Sequence, residues 1–357
     1  MLKKFFFICV LLLLVAGVAL GIVWQRFQGY LDQPIAALEQ PTDIQVAPGS
    51  SVTRVIYELA NKGLLKQPRL LVYYLRATDQ LGIQTGEYEI APGITPRQLL
   101  QKLAAGDVKF YQVTLVEGWT IAQALEHLHR QEALLKQVDI DALGEFLAQL
   151  DSEPLSSSPE GLFFPDTYRY TRGMSDASLL TQAYDIMQQT LAEAWPERAS
   201  GLPLANPFEA LILASIVERE TAVDSEREEI AGVFINRLNK RMRLQTDPTV
   251  IYALGDSYRG NISRKDLQVD SPFNTYRIMG LPPTPIALPS RRSIDAVLHP
   301  ATTDKLYFVA RGDGSHKFSA TLEQHNQAVQ EYQVRNRAKN YRSVPAKPVS
   351  PETNGDG

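Results

Sequence analysis

Two glutamates, Glu218 and Glu220, end a very apolar helical segment that starts at Asn206. Asn206, Pro207 and Glu209 read as N-cap, first helical residue and capping-box partner, so the helix start is well marked. From Ala210 to Val217 only Ser215 is polar, which predicts a largely buried helix. A carboxyl delivered at the end of such a segment is partly desolvated, and desolvation raises a carboxyl pKa towards the range of a general acid. An exposed carboxylate just past the buried stretch is the plainer alternative. The two glutamates lie about 200° apart around the helix, so they cannot face each other as the two carboxyls of an ordinary glycosidase do. Glu218 has the small residues Ala214, Ser215 and Ala222 one turn away, leaving room for a substrate. Glu220 stacks over Ile216 and Val217 and reads as a packing residue. The expected acid is therefore Glu218.

Polar groups follow in order: Leu244-Gln-Thr-Asp-Pro-Thr249, Phe273-Asn-Thr-Tyr276, a proline-dense loop from Gly280 to Ile286, a strand over Leu306–Ala310, and His316 to Ser319. Amide, hydroxyl and aromatic groups with few strong charges suit a carbohydrate groove better than a phosphate or metal pocket. Gln245, Asp247, Thr249, Asn274 and Tyr276 are the candidate substrate-binding residues. Each has a structural alternative, such as Asp247 starting a turn before Pro248. His299, His316 and His325 have no HExxH spacing, and no Gly-x-Ser-x-Gly elbow is present. No metal and no cofactor is expected.

These groups need elements to position them. Three segments share one plan: a short alternating strand, a turn ending in glycine, and a Ser- or Thr-led helix. They run from Ile44 through Gly49, from Tyr88 through Gly93, and from Val113 through Gly118. Apolar residues at three- and four-residue steps support each helix. The first two copies, with a helix from Gln67 to Thr78 between them, are expected to form a small domain over 44–108. The third opens a larger domain over 109–340. Such units resemble LysM-like modules that grip N-acetylglucosamine chains, although plain α+β scaffolding accounts for them equally well. The expected fold class is α+β, with a mixed α/β larger domain.

Phe5 to Trp24 carries no charge and is long enough to cross a bilayer. Lys3 and Lys4 before it favour a cytoplasmic N-terminus over 1–4 and a body outside. A signal anchor over 5–24 is expected ahead of a cleaved signal peptide, whose apolar core is shorter. A stalk follows over 25–43, and the proline-containing tail over 341–357 is expected to be disordered. The sole cysteine, Cys9, lies in the apolar run, so the body forms no disulfide. A net charge of −4 without a basic face argues against nucleic acid as partner.

Ala214-Ser-Ile-Val-Glu218-Arg-Glu220, Leu244 to Thr249, Asn274-Thr-Tyr276, Gly280-Leu-Pro-Pro283, Tyr307-Phe-Val309, His316 with Phe318, His325-Asn326 and Phe164-Pro-Asp-Thr-Tyr168 together resemble the endolytic murein transglycosylase, or YceG-like, family. The resemblance implies a membrane-anchored lytic transglycosylase. Such an enzyme cuts the β-1,4 bond between N-acetylmuramic acid and N-acetylglucosamine in nascent glycan strands and leaves 1,6-anhydro ends. It places the family's catalytic glutamate on Glu218. It implies peptidoglycan as partner, penicillin-binding proteins and other wall-synthesis enzymes as candidate protein partners, and the inner membrane with a periplasmic body as location. Thr284 and Ser290 stand where the family commonly has glycine. A non-catalytic peptidoglycan-binding scaffold and a water-using muramidase stay open as alternatives.

Overall fold

The structure is a computed structural model that describes residues 2–35, 38–78 and 82–335; the tail over 341–357 lies outside them. The chain forms two compact units. One runs to Tyr111 and includes Tyr170–Gly173; the other holds Gln112–Arg169 and the chain from Met174 onward.

In the first unit, α1 (Leu2–Leu31) leads into β1 (Thr42–Val46), α2 (Val52–Asn61), α3 (Pro68–Ala77), β2 (Gly86–Ile90) and α4 (Pro96–Ala105). Strands β1 and β2 pair antiparallel, with Ile44 opposite Tyr88. Ile44, Val46, Tyr88 and Ile90 are buried beneath the helices with Ile56, Leu71, Leu99 and Leu103. Complete burial of such a side chain stabilises by about 1.5–3 kcal/mol. The segment expected as a stalk is not separate from this core. Helix α1 continues past Trp24, and Phe27, Leu31, Ile35 and Leu38 are buried in the core. Arg97 also donates to Asp32 and Gln28. The apolar part of α1 is exposed and long enough to cross a membrane.

In the second unit come β3 (Phe110–Thr114, begun at the end of the first), α5 (Ile121–His129), α6 (Leu143–Leu150), β4 (Thr167–Thr171) and α7 (Asp176–Ala194). Then follow α8 (Pro207–Glu220), α9 (Arg227–Asn239), α10 (Asp247–Leu254), α11 (Arg291–Leu298), β5 (Tyr307–Ala310), β6 (His316–Ser319) and α12 (Leu322–Val329). β3 pairs with β4, and β5 with β6. The three repeats form as the sequence predicts. Gly49, Gly93 and Gly118 all take positive φ, and Ser51, Thr95 and Thr120 cap the helices that follow.

Helix α8 is the central element of this unit, packed by α9, α10 and α11. Asn206 caps it by accepting from Glu209 N, while the Glu209 carboxylate accepts from Ala205 N, one residue earlier than a standard box. Every residue from Ala210 to Glu218 is buried. The polar exception, Ser215, donates to Ile212 O and accepts from Ile286 N, so it ties the proline-dense loop to the helix. One local reading is corrected. Asp247 and Pro248 do not form a loop turn; they begin α10, where the proline's missing N–H costs nothing.

Candidate active site

The C-terminal turn of α8 presents its two glutamates to different surroundings. Glu218 faces α9 and α11. Its Oε1 accepts from Arg227 Nη2 at 3.2 Å, and its Oε2 accepts from Ser290 N at 3.0 Å, Ser290 Oγ at 2.5 Å and Ser293 Oγ at 2.7 Å. The side chains of Glu218 and Arg227 are each 6% exposed. Four donors thus hold both oxygens of a buried carboxylate that also reaches the wall of a cavity. Arg227 is held in turn by Asp224 at 2.5 Å and by Ser293 Oγ. Ser290, at a position where the resemblance leads one to expect glycine, has ordinary extended backbone (φ −70°) and caps α11. Its hydroxyl is one of the groups that hold Glu218.

Glu220 faces α10 instead. It is partly buried, and among the described residues its carboxyl receives one hydrogen bond, from Thr246 Oγ1 at 2.9 Å. Burial and then the charge of Asp247 push its pKa up to about 8, against the smaller opposing pull of Thr246 and Arg237. Asp247 accepts from Tyr276 Oη at 2.6 Å, and burial raises that phenol's pKa, with Asp247 adding to the rise. Arg237 donates to Leu306 O, Arg243 O and Leu244 O, and at 3.3 Å to Gln245 Oε1, with its guanidinium 5.0 Å from the Tyr307 ring centre. Gln245 itself is exposed and takes φ +51°, a costly conformation for a residue with a side chain.

The predicted site residues therefore divide. Gln245, Asp247 and Tyr276 keep exposed or partly exposed side chains in the region around Glu220. Thr249 and Asn274 are fully buried, which corrects their expected place in a sugar subsite. Thr249 Oγ1 donates to Thr246 O, and Asn274 Nδ2 donates to Leu267 O and Val269 O. Their polar groups hold the loops that carry Thr246 and Tyr276. Sequence reasoning missed the roles of Arg227, Arg237, Ser290 and Ser293, several of whose partners lie more than 60 residues away. It also passed over Glu160, which is 4% exposed, accepts from Ile121 N and Tyr252 Oη, and is pushed up to about 7 by burial.

On the Glu218 side, a cavity of about 640 Å³ is lined by residues from Thr114 to Gly118, Pro165 to Thr167, the end of α8, Asp224, Arg227 and Arg292. It lies wholly within the second unit.

Comparison with known proteins fits this arrangement. The YceG-like family model matches residues 44–331. An endolytic murein transglycosylase of Bacillus subtilis is 32% identical over 305 residues, covering 81% of this chain and 84% of that protein. Another, from Streptococcus pneumoniae serotype 2, is 30% identical over 321 residues; the match covers 81% of this chain but 58% of that longer relative. A solved structure of a YceG-like protein from Listeria monocytogenes is similar with a TM-score of 0.55 and 29% identity, over 81% of this chain and 99% of that one. With the family's match running through both units and across both glutamates, this chain belongs to the YceG-like family.

Proposed function

We propose that this chain is an endolytic peptidoglycan lytic transglycosylase whose acid and base is Glu218. It cleaves the MurNAc-β-1,4-GlcNAc bond in nascent glycan strands and leaves 1,6-anhydroMurNAc ends, thereby ending strand elongation. The names of the Bacillus and Streptococcus relatives support the reaction. The observation that carries the residue choice is position: Glu218 lies on the wall of the 640 Å³ cavity, its carboxyl oriented by Arg227, Ser290 and Ser293.

The chemistry follows from a buried carboxyl at the edge of that cavity. Glu218 gives its proton to the glycosidic oxygen as the bond to the muramoyl anomeric carbon breaks. Positive charge develops at that carbon, and the substrate's own N-acetyl oxygen covers it. Glu218, now ionised, takes the proton of the sugar's 6-hydroxyl as that oxygen attacks the same carbon. No water is consumed, because nucleophile and electrophile belong to one sugar. Helix α1 serves as a single-pass inner-membrane anchor with its N-terminus in the cytoplasm and the rest of the chain in the periplasm. Penicillin-binding proteins and other wall-synthesis enzymes are the candidate partners there.

A second reading makes Glu220 the acid, favoured by its raised pKa and single hydrogen-bond donor among the described residues. Digestion of purified glycan strands by wild type, Glu218→Gln and Glu220→Gln, with mass spectrometry of the ends, separates the cases. Anhydro ends that vanish only in a folded Glu218→Gln support the proposal, and loss only in Glu220→Gln reverses it. Reducing ends from wild type identify a muramidase. Glycan binding without turnover identifies a scaffold.

A further inference from the structure

The first unit meets the apolar run of α1 through a cluster of rings. Trp24 closes that run and is 54% exposed, and its ring centre lies 6.1 Å from that of Tyr74 on α3. Tyr74 also packs on Phe27 at 5.6 Å, and its hydroxyl accepts from Arg97 Nη1. Helix α3 is thereby fixed beside the point where the apolar run ends. Its outer face carries an exposed aromatic ring between two exposed cations. Tyr73 is 68% exposed, and Arg69 and Arg76 share its face, four residues before and three after it. Neither arginine has an ion pair among the described residues, and nor has Arg26, exposed just beyond Trp24. From Leu59 to Thr78 the sequence holds four basic residues and no acidic one, in a chain whose net charge is −4.

Position and chemistry agree on a partner. The headgroup layer of a bilayer is about 5–8 Å deep on each side of the hydrocarbon core. Tyr73 adjoins Tyr74, whose ring meets Trp24 at the end of the run, so with α1 across a bilayer Tyr73 falls in that layer. Tyrosine and tryptophan settle there because one end of each ring system is apolar and the other polar. Arginine lays its stem along apolar surface and sets its guanidinium on phosphate oxygens. Resting on the proposed span of α1, we infer that α3 lies on the surface of the same membrane, with Tyr73 among the headgroups and Arg69 and Arg76 on the phosphates of anionic lipid. The first unit is then held by one helix through the membrane and by another on it, and it does not turn freely about α1.

The test places the full chain in nanodiscs of phosphatidylcholine alone and in nanodiscs rich in phosphatidylglycerol, and follows amide hydrogen exchange. In wild type the α3 amides should exchange about tenfold more slowly on the anionic discs, the scale of two basic residues at an anionic surface. The α2 amides should exchange alike on both. The double variant Arg69→Gln, Arg76→Gln should lose the difference, and Tyr73→Ser should speed α3 exchange on both kinds of disc. Equal α3 rates on the two discs in wild type, or a wild-type difference that survives in the double variant, overturns the proposal. Circular dichroism checks that the variants fold. If the double variant does not, high salt is added to wild type: the phosphate contacts should be screened and the difference lost, and its persistence overturns the proposal. Alkaline carbonate washing of vesicles carrying the chain tests the span separately. Release of the chain refutes the anchor, whereas retention with equal α3 rates refutes only the seating of α3.

Discussion

Glu218 and Glu220 share a helix turn, a residue type and a nearly identical local sequence, yet they are treated oppositely by the fold. Around Glu218, α9 and α11 supply a guanidinium, two hydroxyls and a backbone N–H. Around Glu220, α10 and its flanks supply one hydroxyl and a carboxylate. The first set orients a carboxylate at the wall of the 640 Å³ cavity. The second encloses a carboxyl whose pKa burial pushes up to about 8. Burial alone therefore does not make a catalytic acid; what matters is whether the buried carboxyl also meets a cavity.

The largest expected effect is on activity at Glu218. Glu218→Gln should lower anhydro-end formation by about 10²–10⁴-fold, the usual contribution of general acid–base catalysis. A drop of less than tenfold in folded protein would break the comparison. Glu220→Gln should act on stability instead: it removes a carboxyl that must be protonated on folding, so the urea midpoint at neutral pH should rise while turnover per folded molecule is largely kept.

A third outcome concerns pH. Glu160 and Glu220 sit at about 7 and about 8, above the ordinary carboxyl value of 4.5. Between those limits the folded chain holds protons that the unfolded chain has released. Stability from these groups is therefore complete below about pH 4.5 and declines as pH rises towards 8. Glu160 alone accounts for up to about 3 kcal/mol, and Glu160→Gln should flatten the decline in urea midpoints measured across that window. The smallest effect sharpens the Glu220 side. Asp247→Asn removes a negative charge that raises the Glu220 pKa, so the upper end of the stability decline should move to lower pH, by about one unit or less. A shift to higher pH would contradict the assigned electrostatics.

What could be read from the sequence was local. The Gly118–Thr120 repeat unit, the Asn206 cap and the apolar run of α1 depend on residues a few positions apart, and each forms as expected. The choice between the glutamates did not depend on such neighbours. Ala214, Ser215 and Ala222 do leave space beside Glu218, but the groups that orient its carboxyl, Ser290 and Ser293, come from more than 70 residues away. Likewise Asn274 and Thr249 look like ligand groups in sequence because an amide or hydroxyl that bonds a distant carbonyl is indistinguishable there from one that bonds a sugar.

The last turns of α1 have a mechanical consequence. Phe27 and Leu31 are locked into the first unit's core only a few residues beyond Trp24, Tyr30 Oη accepts from Lys66 N, and Arg97 clamps Asp32. At 1.5 Å of rise per residue, Trp24 and Phe27 are separated by about 5 Å along the helix. With α1 spanning a bilayer, as proposed, the first unit is not tethered on a slack leash but mounted on a short rigid post. Its height above the lipid is set by helix geometry, so inserting a few residues after Trp24 would rotate as well as raise the unit, by about 100° for each residue added.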